Sequence, residues 1–188
     1  MKLILNKKYN ALFQSDARYF IITGGRGSGK SFAVTVFLTL LTMTKGIRIL
    51  FTRFTMTSAH LSIIPEFLEK IGLLGFENVF SINKAEVLNK SNNSDILFRG
   101  IRTSAGNQTA SLKSLQGIST WVLDEAEELI DENIFDTIDL SIREKDVQNR
   151  IILILNPVTK EHWIYDRFFE SKGVEGGFNG VKGNICYI

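Results

Sequence analysis

The chain of 188 residues is 44% hydrophobic and 22% charged, which is the composition of a globular protein and not of a disordered or fibrous one. Its length holds one domain, or one domain with a short appendage, and its net charge of +2 does not by itself indicate a nucleic-acid partner. The single cysteine excludes an intrachain disulfide, and with two histidines it is too few for a zinc site of cysteine and histidine ligands.

No apolar run approaches the roughly 20 residues that a membrane-spanning helix needs. The most apolar stretch, residues 32–43, is interrupted by three threonines. The N-terminus lacks the long apolar segment and the small-residue cleavage site of an export signal. We therefore expect a protein of a reducing cytoplasm.

Short apolar runs alternate with helical periodicity along the chain. The predicted strands are 19–23, 47–53, 86–89, 95–99, 119–124 and 150–155. The predicted helices are 30–44, 58–71, 131–143 and 162–170. Strands that are apolar throughout and separated by helices indicate a mainly parallel sheet covered by helices on both faces, and therefore an α/β fold.

Two further segments are predicted to lie outside this core. Residues 103–111 are small or polar, which is typical of a mobile surface loop. Residues 173–188 begin with a concentration of glycines, typical of a linker, and end with the start of an apolar strand. We therefore divide the chain into a domain over 1–172 and a linker over 173–188 that leads into a further C-terminal domain.

A glycine-rich segment between the first predicted strand and the first predicted helix carries the clearest chemical signal. It fits the pattern Gly-x-x-x-x-Gly-Lys-Ser, in which backbone N–H groups wrap phosphates at a helix N-terminus. Lys30 is predicted to neutralise the β- and γ-phosphates, and the Ser31 hydroxyl to ligate Mg²⁺. The predicted nucleotide-binding residues are Gly24, Gly25, Arg26, Gly27, Ser28, Gly29, Lys30 and Ser31.

An acidic pair follows the buried strand 119–124. Asp124, at the carboxyl end of that strand, is predicted to hold Mg²⁺ through water, and Glu125 to polarise the water that attacks the γ-phosphate. Such a pair alone is also typical of a helix N-cap, but the glycine-rich segment 24–31, called the phosphate loop below, favours the catalytic interpretation. The acids that follow predict a solvated helix start; they are Glu127, Glu128, Asp131 and Glu132.

Two more polar residues lie at predicted strand ends or loops. Asn156 follows strand 150–155, where its amide could face the γ-phosphate or the attacking water, or could simply form a turn with Pro157. Arg26 places a second cation beside Lys30. It could face its own nucleotide, a neighbour's nucleotide, or an acidic strap in the nucleotide-free state.

Together, segments 24–31, 121–129 and 154–157 resemble the large terminase subunit of tailed double-stranded DNA bacteriophages. The resemblance covers essentially the whole chain, but only the N-terminal ATPase half of that family's protein. It implies a P-loop NTPase of the additional-strand, catalytic-glutamate type, which uses ATP and Mg²⁺ to move double-stranded DNA into a procapsid. In that family a nuclease domain follows a linker, so no nuclease active site is expected in this chain.

The resemblance also assigns roles to individual residues. Arg26 is expected to couple γ-phosphate sensing to movement, and Asn156 to link hydrolysis to DNA translocation. Arg53, after the second strand, is expected near the nucleotide or the DNA. The residues expected to recognise adenine are Tyr9, Phe13, Gln14 and Arg18. The candidates for a finger that acts in a neighbour's site are Lys113, then Arg102 and Arg99, each of which could equally be an ordinary surface cation.

The partners that the resemblance implies are double-stranded DNA, the portal protein and the small terminase subunit. A ring of copies is expected when the motor is active, and a monomer in isolation, in the host cytoplasm at the portal vertex of the procapsid. The segment from Lys84 to Lys113 contains five cationic residues and two acidic ones. This local excess of positive charge supports weak, salt-sensitive DNA binding without sequence preference.

Two other functions share these motifs. A helicase-like, nucleic-acid-dependent ATPase has the same phosphate loop and acidic pair, although no second recombinase-like domain fits in 188 residues. A non-catalytic nucleotide-binding module for assembly would use the phosphate loop but would not need Glu125 as a base.

Overall fold

The structure is a computed structural model that describes residues 3–56, 59–103, 106–107, 112 and 114–188. Its strands are β1 (Tyr19–Thr23), β2 (Arg48–Thr55), β3 (Phe80–Ile82), β4 (Glu86–Asn89), β5 (Asp95–Thr103), β6 (Gly106–Asn107), β7 (Thr120–Asp124), β8 (Arg150–Leu155), β9 (Gly180–Lys182) and β10 (Ile185–Tyr187). Its α-helices are α1 (Ala11–Gln14), α2 (Lys30–Leu41), α3 (Ala59–Leu73), α4 (Glu132–Asp139) and α5 (Trp163–Phe168). Short 3₁₀ turns lie at Lys7–Asn10, Ala126–Glu128 and Glu170–Lys172.

The described strands form one sheet in the order β3-β4-β5-β2-β7-β8-β1-β10-β9, with β6 paired to β5. Every pairing from β5 through β2, β7, β8 and β1 to β10 is parallel. The outer strands β3, β4 and β9, and the short β6, pair antiparallel. The predicted mainly parallel sheet is therefore confirmed, and β4 and β5 form a hairpin.

Helices cover both faces of this sheet because the central strands are apolar on both sides. In β7 every residue is buried, and consecutive side chains point to opposite faces. Val122 packs into the layer that contains Leu12, Phe37 and Phe67, from α1, α2 and α3. Trp121 and Leu123 pack into the opposite layer with residues of α4 and α5, such as Phe135 and Phe168.

The predicted helix over 131–143 is shorter in the structure. Asp131 caps the start of α4 by accepting a hydrogen bond from the Asn133 N–H. At the other end, the Arg18 guanidinium donates to the carbonyl oxygens of Asp139 and Ile142 at 3.1 and 3.2 Å. The Ile142 N–H also donates to the Asp139 carbonyl oxygen at 3.0 Å, so the chain continues past Asp139 in a tighter turn and the α-helix ends there.

The predicted linker over 173–188 is corrected by the structure, because its last residues belong to the central sheet. β10 pairs parallel with β1 and aligns Ile185 with Tyr19, while β9 and β10 form a hairpin. Gly183 has φ of 60° in the tight turn of that hairpin, a conformation that favours glycine. The glycines that predicted a flexible linker therefore include one that shapes a hairpin, and residues 180–188 lie in the same fold as β1.

The predicted surface loop over 103–111 lies mostly outside the described residues. Within it, Gly106 and Asn107 form β6, which pairs with the end of β5 at Thr103 and Arg102. No helix in the described ranges is long and apolar enough to cross a membrane.

A polar cluster ties the start of β1 to the end of α4, at the edge of the sheet where the parallel strands begin. Asp139 pairs with Arg18 at 2.5 Å and accepts a hydrogen bond from the Tyr19 hydroxyl at 2.8 Å. Its side chain is only 8% exposed, whereas that of Asp136, one turn earlier, is 47% exposed and pairs only with Arg167 among the described side chains.

We predict that Asp139→Ala lowers the free energy of unfolding by about 3 kcal/mol, because the change removes the carboxylate that pairs with the half-buried Arg18 guanidinium and accepts from the Tyr19 hydroxyl. Asp136→Ala is the matched control and should lower it by less than about 1 kcal/mol, as for an exposed ion pair. Urea denaturation followed by tryptophan fluorescence measures both values. Equal losses in the two variants would contradict a structural role of the cluster.

Candidate nucleotide-binding site

The phosphate loop connects β1 to α2, as the sequence predicts. Gly29 precedes α2 with φ of 81° and ψ of 14°, a left-handed conformation that strains residues with a Cβ. A Cβ at Gly24 would lie 2.9 Å from Ser28 Oγ, so the turn closes too tightly for a side chain there. Ser28 Oγ is buried and has no hydrogen-bond partner among the described residues. The loop therefore has the close backbone packing of a phosphate cradle and a polar atom left to bind a ligand.

A cavity of about 380 Å³ opens beside this loop, at the carboxyl ends of β1, β2, β7 and β8. Parallel strands in adjacent positions bring the residues that follow them to one edge, which is where ligands bind in open α/β sheets. The residues that line the cavity are Gly25, Arg26, Gly27, Ser28, Gly29, Lys30, Ser31, Phe32, Arg53, Asp124, Glu125, Glu127, Ile154, Leu155 and Asn156. The phosphate loop, the acidic pair and Asn156 are therefore brought together.

Lys30 begins α2 and turns its ammonium group back over the loop. Its Nζ donates to the carbonyl oxygens of Gly24 and of Gly25, the latter at 3.2 Å, and lies 3.5 Å from Asn156 Oδ1. Burial lowers the pKa of Lys30, while the carboxylates of Glu127 and Asp124 act in the opposite direction. The loop that would bind phosphate therefore also holds the Lys30 ammonium group, which lines the cavity.

Arg53 occupies the acidic side of the cavity. The parallel register pairs Thr52 with Leu123, so the next residues, Arg53 and Asp124, lie side by side. Arg53 Nε and Nη2 lie 2.8 and 2.7 Å from Asp124 Oδ2, and Nη1 lies 3.6 Å from Glu125 Oε2. Burial raises the pKa of Asp124, and the Arg53 guanidinium opposes that rise. Arg53, which the sequence analysis expects near the nucleotide or the DNA, therefore lines the cavity.

Glu125 has a backbone conformation that is uncommon for a residue with a side chain, with φ of 55° and ψ of 47°. Such a left-handed residue costs roughly 1 to 2 kcal/mol. The reversal turns the chain into the 3₁₀ turn 126–128, which returns Glu127 to the cavity. The Glu125 side chain stays 43% exposed, and burial raises the pKa of its carboxyl group while Arg53 opposes the rise.

Glu127 is the residue of the cavity that the sequence analysis missed. It was predicted to be part of a solvated helix start, but its Oε1 accepts a hydrogen bond from Asn156 Nδ2 at 2.6 Å, and its Oε2 is buried. Hydrophobic periodicity gives no signal for it, because the inward turn follows from the left-handed conformation of Glu125. Asp131, by contrast, lies at the start of a helix as predicted, where it caps α4.

The four residues expected to recognise adenine are not brought together. The Tyr9 hydroxyl donates to the Ser28 carbonyl oxygen at 3.0 Å, which places Tyr9 directly behind the phosphate loop. Phe13 and Gln14 are exposed in and near α1, and the Phe13 ring contacts Phe37 edge-on. Arg18 lies at the opposite edge of the sheet, where Asp139 holds it.

Two of the candidate finger residues, Arg99 and Arg102, do not line the cavity. Arg99 is half-buried and donates to the carbonyl oxygens of Ala85 and Phe98. Arg102 is exposed near the carboxyl end of β5. Lys113 lies outside the described residues.

The donor atoms at the centre of the cavity are suited to a hard cation. The Ser31 hydroxyl and the Asp124 carboxylate both line it, and Mg²⁺ prefers oxygen ligands and usually keeps several waters. These two residues therefore fit the metal that the sequence predicts.

Several solved structures share this fold. The large terminase from a thermophilic bacteriophage, also solved in complex with ATP-γ-S, has a TM-score of 0.74 and 11% identity and covers 99% of this chain and 45% of its own. The ATPase domain of the Thermus phage P74-26 large terminase has a TM-score of 0.71 and 17% identity, with 98% and 80% covered. The Phi-28 gp11 DNA packaging motor has a TM-score of 0.61 and 16% identity, with 95% and 58% covered.

The chain spans less than half the length of the first of these terminases. At identities of 11 to 17%, the similarities establish the fold alone. The comparison with curated proteins gave no match. The sequence profile described as "Phage terminase large subunit" matches residues 16–183. Since that match covers nearly the whole chain, this protein belongs to the phage terminase large subunit family.

Proposed function

We propose that this chain is the ATPase domain of a phage DNA-packaging motor, which hydrolyses ATP to move double-stranded DNA into a procapsid. The observation that carries the proposal is the convergence of the phosphate loop, the Asp124–Glu125 pair and Asn156 on one cavity. Family membership and the structural likeness to a DNA packaging motor support the same conclusion.

Each residue of the cavity has a chemical role in this proposal. The backbone of the phosphate loop and the cations Arg26 and Lys30 bind the phosphates and stabilise the charge that develops on them. Glu125, at the exposed end of the acidic pair, orients and polarises the attacking water. Asn156 presents its amide to the same region and links the state of the nucleotide to β8.

Ser31 and Asp124 would hold Mg²⁺, which when bound would neutralise negative charge on the phosphates. Asp124 would have to exchange part of its ion pair with Arg53 for this role. The guanidinium, released from Asp124, remains close to Glu125.

Charge balance supports a contribution from a second copy of the chain. The lining carries as many acids (Asp124, Glu125, Glu127) as cations (Arg26, Lys30, Arg53), so ATP brings more negative charge than Mg²⁺ alone offsets. A cation from a neighbouring subunit in a ring would complete the site. Exposed Arg102 suits this role better than Arg99, whose guanidinium is held by carbonyl groups; Lys113 remains a candidate.

A small basic surface lies at the same sheet edge as the cavity. β4 and β5 are antiparallel with Glu86 opposite Leu97, so Lys84 lies beside the carboxyl-terminal half of β5, near Arg99 and Arg102. Lys90 lies at the other end of β4. We propose that Lys84 contacts the DNA backbone weakly, as sliding requires.

The wider assembly follows from the family. The portal protein and the small terminase subunit are the proposed protein partners, and the procapsid portal vertex in the host cytoplasm is the proposed location. Adenine is proposed to lie near Tyr9, on the side where this residue supports the phosphate loop. A helicase would instead separate DNA strands, and a non-catalytic module would bind ATP without turnover.

We predict that Glu125→Gln lowers the single-turnover rate of ATP hydrolysis at least about 100-fold while the Kd for ATP changes less than about threefold, because the amide cannot take a proton from water. Glu128→Gln, an exposed neighbour in the same turn, is the control and should keep the wild-type rate. Retained turnover in Glu125→Gln would remove that residue from the mechanism, and unwinding of a labelled duplex would favour the helicase.

We predict that Arg53→Gln lowers the Mg²⁺ concentration required for half-maximal binding of a fluorescent ADP analogue by at least about threefold, since a cation next to Asp124 is removed. Arg48→Gln makes the same charge change at the other end of β2, where Arg48 pairs with Asp95, and should leave the Mg²⁺ dependence unchanged. A higher Mg²⁺ requirement in Arg53→Gln would contradict the placement of Mg²⁺ beside Asp124.

We predict that Lys84→Ala weakens binding of double-stranded DNA and reduces the slope of log K against log salt by about 0.9, the value for one lost phosphate contact. Lys90→Ala removes a cation that is also exposed but lies at the other end of β4, and it should leave the slope unchanged. Fluorescence anisotropy over a salt series measures both. An equal change in the two variants would point to net charge instead of a DNA-binding surface.

A further inference from the structure

The Asn156 side-chain amide is held between two charged groups of opposite sign. Lys30 Nζ lies 3.5 Å from Asn156 Oδ1, and Asn156 Nδ2 donates to Glu127 Oε1 at 2.6 Å. An ammonium group can only donate hydrogen bonds and a carboxylate can only accept them. The amide therefore has one orientation that satisfies both neighbours, and a 180° flip would set NH₂ against ammonium and oxygen against carboxylate.

The backbone of the turn that carries Glu127 is held by His162 and Trp163. The Glu127 carbonyl oxygen lies 3.1 Å from His162 Nε2, while His162 Nδ1 accepts a hydrogen bond from the Ile164 N–H at 3.2 Å. Because Nδ1 accepts, the ring proton is on Nε2, which donates to the main-chain carbonyl oxygen of Glu127. Trp163 Nε1 donates to the Leu129 carbonyl at 2.6 Å. The turn that carries Glu127 is therefore bound to the first residues of α5.

We infer that Glu127 is a positioning residue of the ATP site, which holds the Asn156 amide in the one orientation that turns its oxygen toward Lys30. This inference rests on the proposed ATPase function for its kinetic consequence, but the hydrogen bond that it concerns joins two side chains of the protein and can be tested without nucleotide. The Glu127 carboxylate does not touch the reacting atoms in this role. It acts through the direction of a neighbouring dipole.

An exchange of the two side-chain types tests this arrangement with no change in net charge. In N156D the new carboxylate faces Glu127 at hydrogen-bond distance, so two acceptors repel each other. E127Q alone keeps an oxygen that can accept from Asn156. In the double variant E127Q/N156D the amide at position 127 donates to the carboxylate at position 156, which restores the contact with its direction reversed.

We expect N156D to lower kcat at least about tenfold and E127Q to lower it less. The double variant should turn over at least about threefold faster than N156D, but more slowly than wild type because the Asn156 amide itself belongs to the site. The control is E128Q/N156D, which makes the same charge change at the exposed next residue and should stay as slow as N156D. Equal recovery in E128Q/N156D would show that total charge matters and would overturn the positioning role. No recovery in E127Q/N156D would overturn it as well.

Thermal unfolding without nucleotide separates this inference from the proposed function. N156D should melt at a lower temperature than wild type, E127Q should restore the melting temperature in the double variant, and E128Q should not. If wild-type protein bound no ATP, the proposed function would fail while the melting pattern still decided the role of Glu127. If turnover were normal and melting showed no specific recovery, the inference about Glu127 would be wrong.

Discussion

The parallel alignment of β2, β7, β8 and β1 is the constraint on which the rest of the molecule depends. Parallel neighbours must end at the same edge, so the loop after β1, Arg53 in β2, the acidic pair of β7 and Asn156 after β8 meet there. Burial on both faces keeps these strands in register, because a shift by one residue would turn each side chain to the other face. The charged groups of the cavity are thus arranged by a core that contains none of them.

Sequence patterns predicted the parts of the site that follow directly from strands and spacing. An apolar run that ends in Gly24 or Asp124 places the next residues at a sheet edge whatever the details of packing. Glu127 was not predicted, because it reaches the cavity only through the left-handed backbone conformation of Glu125. The pattern of apolar and polar side chains does not indicate that conformation. The segment 173–188 was misjudged since glycine content alone does not distinguish a flexible linker from the turn of a hairpin.

The charged side chains of the cavity form a connected set of polar contacts. Arg53 is paired with Asp124 and lies near Glu125, and Lys30 contacts Asn156, which contacts Glu127. Binding of phosphate would exchange some of these contacts for contacts with the nucleotide. Such an exchange gives the fold two distinct sets of contacts at one edge, which is what a cycle of binding, hydrolysis and release requires.

The position of β1 has a consequence for how the nucleotide site forms during synthesis. β1 precedes all the other strands, yet its two neighbours are β8 and β10, which come from residues 150–155 and 185–187. A nascent chain that has completed β1 through β7 therefore contains the phosphate loop but neither strand that holds it in the sheet. Contacts between such distant segments form slowly, so the loop is among the last parts of this domain to be held in place.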